Sequence, residues 1–269
     1  MIKRLTELAG KMRLLGLDMA YSTGSGGSHI GGGFSVMEIL AVVYGEFLRR
    51  YPDGSRDLFI PSKSHCTLAH FPALYFAGFL KREDCFRFQE NGSAFVGYPY
   101  NEDLGLDFSG GTLGMGLSYG IGRALAFRLD QKPNRVFVLV GDGELNEGSI
   151  WEGLLVAAKY QLANLTLIVD RNHLQYDGDT EAVLPLEDLA AKFRAFNWAT
   201  TNCNGHSVAE LVTAFSQEET RPKVIIADTV KGKGISFAEN RPEWHHHALT
   251  KEQYEAAKAE LEQAGEVER

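Results

Sequence analysis

One stretch, residues 135–178, limits most sharply what this chain can fold into. The run from Arg135 to Val140 is almost continuously apolar and ends at Gly141-Asp-Gly143. A helical pattern over 150–162 follows, then a second apolar run, Leu165–Asp170, ending at Arg171-Asn172-His173. Such runs fit strands buried on both faces. Two of them joined by a helix make a right-handed βαβ unit, with both strands pointing the same way. If the strands are neighbours, about 4.8 Å apart, Asp142 and Asn172 converge just past their C-terminal ends. Open α/β sheets bind ligands there. A carboxylate, an amide oxygen and nearby backbone carbonyls are hard oxygen ligands suited to Mg²⁺ or Ca²⁺, and Mg²⁺ commonly completes its shell with phosphate oxygens. Glycines on either side of Asp142 let backbone amides come close to an anion. Gly-Asp-Gly alone is also a common turn. Its place between a buried strand and a helix, answered by Asn172, points instead to a metal–diphosphate site.

The rest of the chain extends this alternation. Ile2, Leu5, Leu8, Met12, Leu15 and Met19 repeat at helical spacing over 2–20. A glycine-rich loop spans Gly24–Gly33, and Ser35-x-x-Glu38 reads as a capping box for a helix running to Leu48. A short strand at Phe59-Ile60 precedes Pro61-Ser-Lys-Ser-His65, and residues 66–80 read as helix apart from Pro72. A glycine-rich turn at 110–116 leads into a helix over 117–129. A helix capped at Ser207, a strand over Val224–Val230, the Lys231-Gly-Lys-Gly234 loop and a helix from Thr250 complete the chain. The pattern predicts one α/β domain over residues 1–269, a mostly parallel sheet with helices on both faces.

Composition excludes several other functions. The net charge of −8 and the lack of a basic block disfavour nucleic-acid binding. Three widely spaced cysteines, Cys66, Cys85 and Cys203, make neither a disulfide framework nor a zinc knuckle and fit a reducing compartment. No signal-peptide core opens the chain and no apolar run reaches the ~18–20 residues of a membrane span, so a cytoplasmic protein is expected.

Gly141-Asp-Gly-Glu-Leu-Asn-Glu-Gly148, Ile150-Trp-Glu and Val169-Asp-Arg-Asn172-His-Leu-Gln-Tyr-Asp-Gly178 resemble the thiamine diphosphate motif of transketolases. Ser28-His-Ile-Gly-Gly-Gly-Phe-Ser35, Ser62-Lys-Ser-His65 and Gly110-Gly-Thr-Leu-Gly-Met-Gly116 resemble other segments of that family, as do Asn204-Gly-His206, Lys231–Asn240 and Pro242-Glu-Trp-His245. These matches follow the family's order over nearly the whole chain. The resemblance implies thiamine diphosphate and Mg²⁺ (or Ca²⁺) as cofactors. Asp142, Asn172 and the Leu174 carbonyl would bind the metal. Leu113, Gly114, Gly141 and Gly143 would touch the cofactor. His65 and His245 would lie near its diphosphate and reactive carbon, and His29 would face the sugar and aid proton transfer. Glu147 and Glu152 resemble subunit-interface acids that couple paired sites; a solvated-surface reading of both stays open.

In this family a glutamate on a second α/β domain activates the cofactor, and the first domain takes up this entire chain. The expectation is therefore the diphosphate-binding subunit of a split transketolase, inactive alone. Its partner chain would carry the pyrimidine-binding domain, in a heterotetramer acting on small sugars or sugar phosphates. Other split thiamine enzymes, resembling deoxyxylulose phosphate synthases or 2-oxo-acid dehydrogenases, and a non-catalytic homologue remain alternatives. One position departs from the pattern. Gly97-Tyr98-Pro99 stands where the family has Gly-His-Pro, whose histidine contacts the donor sugar. Either Tyr98 alters the donor pocket or the change is neutral. His245-His246-His247 is read as one functional histidine with two surface neighbours, because consecutive side chains rarely converge on one zinc. Cys66 is read as an inert thiol, Asp170 and Asp177 as structural or solvated, and Trp151 and Trp198 as core.

Overall fold

The structure is a computed structural model describing residues 1–267. In chain order its strands are β1 Leu58–Pro61, β2 Val136–Gly141, β3 Leu165–Arg171, a two-residue-per-arm hairpin of β4 Leu174–Gln175 and β5 Gly178–Asp179, β6 Ala199–Asn204 and β7 Lys223–Asp228. Five of them form one parallel sheet in the order β1-β2-β3-β7-β6. The expected β2–β3 neighbourhood is present, with Gly141 beside Asp170. The loops after the two strands therefore leave the sheet at the same level.

Side-chain alternation along β2 explains the layers. Phe137 and Leu139 pack on one face with the helices Ile2–Ser22, Met37–Val42 and Thr67–Phe76. Val136, Val138 and Val140 pack on the other with Gly116–Leu129 and Gly148–Lys159. All five side chains are at most 2% exposed. At roughly 1.5–3 kcal/mol for each buried side chain, β2 is anchored from both sides, and its end can carry strained, polar loops.

Three local readings need correcting. The glycines at 31–33 are not loop but part of a short helix, Ile30–Phe34. Their missing side chains let that turn lie against neighbours: a Cβ on Gly32 would sit 2.7 Å from the His65 ring, and one on Gly33 2.9 Å from Leu68. Ser35 does not open a capping box. The next helix starts at Met37 after Val36, without a side-chain cap, and the Ser35 hydroxyl instead donates to Asp170 at 2.7 Å. Glu38 turns inward to Arg13 and His206. The edge strand β6, Ala-Thr-Thr-Asn-Cys-Asn, carries polar, partly exposed residues and lacks the apolar run that announces a strand. The Ser207 cap forms as expected, its hydroxyl accepting from the Glu210 amide.

Candidate active site

Asp142 and Asn172 stand at the ends of β2 and β3, 1% and 4% exposed. The Asp142 carboxylate accepts from the amides of Gly143 at 2.8 Å and His173 at 2.6 Å. Burial, and next the neighbouring Asp170 carboxylate, push the Asp142 carboxyl above its ordinary pKa. A divalent cation would offset both effects. The Asn172 amide oxygen accepts from the Leu174 amide, and its nitrogen donates to Asp170. His173 has a φ of +63°, which turns the chain into the β4–β5 hairpin and brings Leu174 to the same cavity.

That cavity, about 300 Å³, holds two buried lysines among its walls. The Lys63 ammonium is paired with Asp170. Burial alone would raise the Asp170 carboxyl, but the charge of Lys63 and hydrogen bonds from Lys63, Thr229 and Ser35 hold it below the usual range. Asp170 is thus a structural anion at the base of the site. The Lys231 ammonium donates to the Leu174 carbonyl at 2.7 Å and lies 3.2 Å from His245 Nδ1. Burial and the charge of Lys63 bring its pKa down to about 8.

Four imidazoles gather above the lysines. The His29 ring centroid is 5.6 Å from His65, 5.4 Å from His245 and 4.6 Å from His246. Burial, reinforced by neighbouring positive charge, lowers His29 to about 4, His245 to about 3 and His65 well below its ordinary value. At neutral pH all three are uncharged, so each can donate or accept a proton. Tyr98, 41% exposed, and Tyr176, 72% exposed, also line the cavity.

A family model described as "Transketolase, thiamine diphosphate binding domain" matches residues 5–266. The chain belongs to the transketolase family. It is 38% identical over 252 residues to one of the subunits of apulose-4-phosphate transketolase from Phocaeicola vulgatus, covering 91% of this chain and 89% of that one. It is 35% identical over 269 residues to the 6-deoxy-6-sulfo-D-fructose transketolase subunit SqwG of a Clostridium species, covering 97% of each. Among solved structures, the transketolase of Campylobacter jejuni superposes with a TM-score of 0.88 at 26% identity over 99% of this chain. This chain spans only 45% of that longer one.

The residues fit the cofactor of a transketolase. Three oxygen donors, Asp142, Asn172 and Leu174, sit beside an inward positive charge suited to a diphosphate. Gln175 Oε1 is buried with no hydrogen-bond partner and faces the same space. A Cβ at Gly143 would come within 2.8 Å of Gln175, so only glycine keeps that turn this close. Leu113, Gly141 and Gly143 line the cavity. Gly114 and Glu147 stand behind its wall. The Gly114 amide is committed to Glu144 at 2.8 Å, its φ of +85° suits glycine, and a Cβ there would meet Glu147 Cβ at 2.8 Å. Glu147 and Glu152 are both exposed. His246 and His247 are both exposed, as expected of surface neighbours; the His246 ring lies against His29 and the His247 ring against Trp244. Among the described residues, no group of three or more His, Cys, Asp or Glu is placed to hold a metal ion, so the three histidines do not converge on zinc.

Sequence reasoning passes over Lys63, Lys231, Gln175 and Glu144. Glu144 is 2% exposed and accepts from Ser62 and from the amides of Gly114 and Gly141. It thereby ties three cavity loops together. Its only sequence signal is a carboxylate directly after Gly-Asp-Gly.

Proposed function

We propose that this chain is the diphosphate- and metal-binding subunit of a two-chain transketolase that moves a two-carbon ketol unit from a ketose or ketose phosphate to an aldose. The observation that carries this reading is the meeting of Asp142, Asn172 and the Leu174 carbonyl with Lys231 and the uncharged histidines in one cavity. Similarity over most of both chains to a relative that is itself one subunit of a transketolase supports the two-chain form. Asp142, Asn172 and Leu174 hold Mg²⁺ (or Ca²⁺). Leu113, Gly141, Gly143, His65 and His245 contact thiamine diphosphate, with Gly114 and Glu147 supporting them from behind the cavity wall. When bound, thiamine diphosphate supplies the electron sink for carbon–carbon cleavage.

The chain's own residues do the rest. Lys63 and Lys231 attract the diphosphate. His65 and His245 lie near the diphosphate and reactive carbon, and His29 faces the sugar and aids proton transfer; each uncharged imidazole offers one donor and one acceptor nitrogen. Tyr98 contacts the donor and shifts donor preference. The second chain contributes the pyrimidine-binding domain and its glutamate, and two copies of each form a heterotetramer in the cytoplasm.

Reconstitution with that second chain tests the reading. With Mg²⁺ and thiamine diphosphate, the pair should transfer ketol units and either chain alone should not. Asp142→Ala should lower the rate at least ~100-fold while the pair still assembles. Full activity of this chain alone, or of the Asp142→Ala pair, would sink the reading.

A further inference from the structure

The Asn204-Gly-His206 motif has no part in the cavity. Its histidine belongs to a buried polar cluster packed against the Lys231 loop. Arg13, on helix Ile2–Ser22, donates through Nη2 to Glu38 at 2.7 Å. The second Glu38 oxygen meets His206 Nδ1 at 3.0 Å. His206 Nε2 accepts from the Val230 amide at 2.8 Å, so in the neutral ring the proton sits on Nδ1 and is donated to Glu38. Arg13 closes the circuit by donating through Nε to the Lys233 carbonyl at 3.1 Å.

The two grips fall on the residue before Lys231 and the second residue after it. Between them the Lys231 stem lies over Gly31, where a Cβ would come within 3.0 Å of Lys231 Cγ. The Gly232 amide donates to the Gly31 carbonyl, and the Lys231 carbonyl accepts from Asn240. The geometry points to Arg13, Glu38 and His206 as a positioning clamp that fixes the backbone on both sides of Lys231 and so sets where its ammonium meets the cofactor's diphosphate. This rests on the cofactor reading above.

Simple stability does not account for the clamp. Arg13 and Glu38 are only 9% and 8% exposed. A buried ion pair is often no more stable than apolar residues of similar size, but it can enforce a single register. Here the register enforced is that of a loop carrying one functional cation. The clamp links residues 25, 168 and 220 positions apart in sequence.

Two histidine replacements separate positioning from mere folding. His206→Gln carries its amide oxygen out to the level of Nε2 and can still accept from Val230. His206→Asn ends at the level of Nδ1 and reaches only Glu38. The dissociation constant for thiamine diphosphate with Mg²⁺, measured by titration calorimetry on the two-chain complex, should rise about tenfold in His206→Asn and stay within about twofold in His206→Gln. In a Lys231→Met background, His206→Asn should add nothing further. Unchanged binding in His206→Asn, or an equal loss with and without Lys231, overturns the clamp. No binding by the wild-type complex overturns the functional reading and the clamp with it. Hydrogen exchange on the unsubstituted complex gives a check independent of any variant. The Val230 amide should be protected before cofactor is added, and exchange at the unprotected rate overturns the clamp.

Discussion

At the residue scale, the site is built from groups that are costly in the fold by themselves. The Asp142 carboxylate has two amide partners and the Arg171 guanidinium at 3.4 Å, yet burial and the neighbouring Asp170 still push its carboxyl above the ordinary value. A cation bound there, as proposed above, would favour the charged carboxylate. Cys66 shows the converse. It adjoins His65, but burial pushes its thiol up to about 12, so it stays protonated and inert at neutral pH. Tyr98 is the residue where this chain departs from the family's pattern. It places a hydroxyl at the cavity in place of an imidazole's two ring nitrogens. Tyr98→His should change the ratio of kcat/KM between two ketose donors by about tenfold, the size of one polar contact. An unchanged ratio across several donors would remove Tyr98 from specificity.

At the element scale, hydrophobic pattern and burial agree wherever an element is enclosed on both sides. β2 and β3 can be read from sequence because their apolar runs are what a doubly covered strand requires, and the site anchors at their ends follow directly. β6 cannot, because an edge strand has no such run to show. Ser35 has the sequence of a cap, but Asp170, 135 positions away, takes its hydroxyl. Lys63, Lys231 and Glu144 carry no local sign of burial for the same reason: it is created by tertiary neighbours. The strand-end residues Asp142 and Asn172 are thus legible, while the charges that complete the cavity are not.

Helix Thr67–Phe76 carries a buried histidine outside the site, with its own consequence. His70 meets the Tyr44 hydroxyl at 2.8 Å, and burial, with a smaller effect from Arg56, lowers its pKa to about 3. Below pH 6.5 the unfolded chain takes up a proton that the folded chain refuses, so stability falls with pH from about 6.5 down to about 3. At pH 5 this one group should cost about 2 kcal/mol relative to neutral pH. Urea unfolding of His70→Gln at pH 7.5 and 5 should show a shallower loss than the unsubstituted chain. An equal loss would show that His70 is not the acid-sensitive group.

At the scale of the whole molecule, the sheet separates two duties. One face packs the helices that carry Arg13 and Glu38 behind the Lys231 loop. The other packs the helix that follows Gly-Asp-Gly. The cavity opens at the C-terminal edge between them, with Tyr98 and Tyr176 partly exposed to whatever closes over it. Under the proposed function, a second chain meets the cavity at this edge. Native mass spectrometry of the tagged chain, isolated from its own cells, tests this most directly. The account predicts two copies of this chain with two copies of a different chain, each pair holding one thiamine diphosphate and one divalent metal ion. A homo-oligomer of this chain alone, free of thiamine diphosphate, would contradict it.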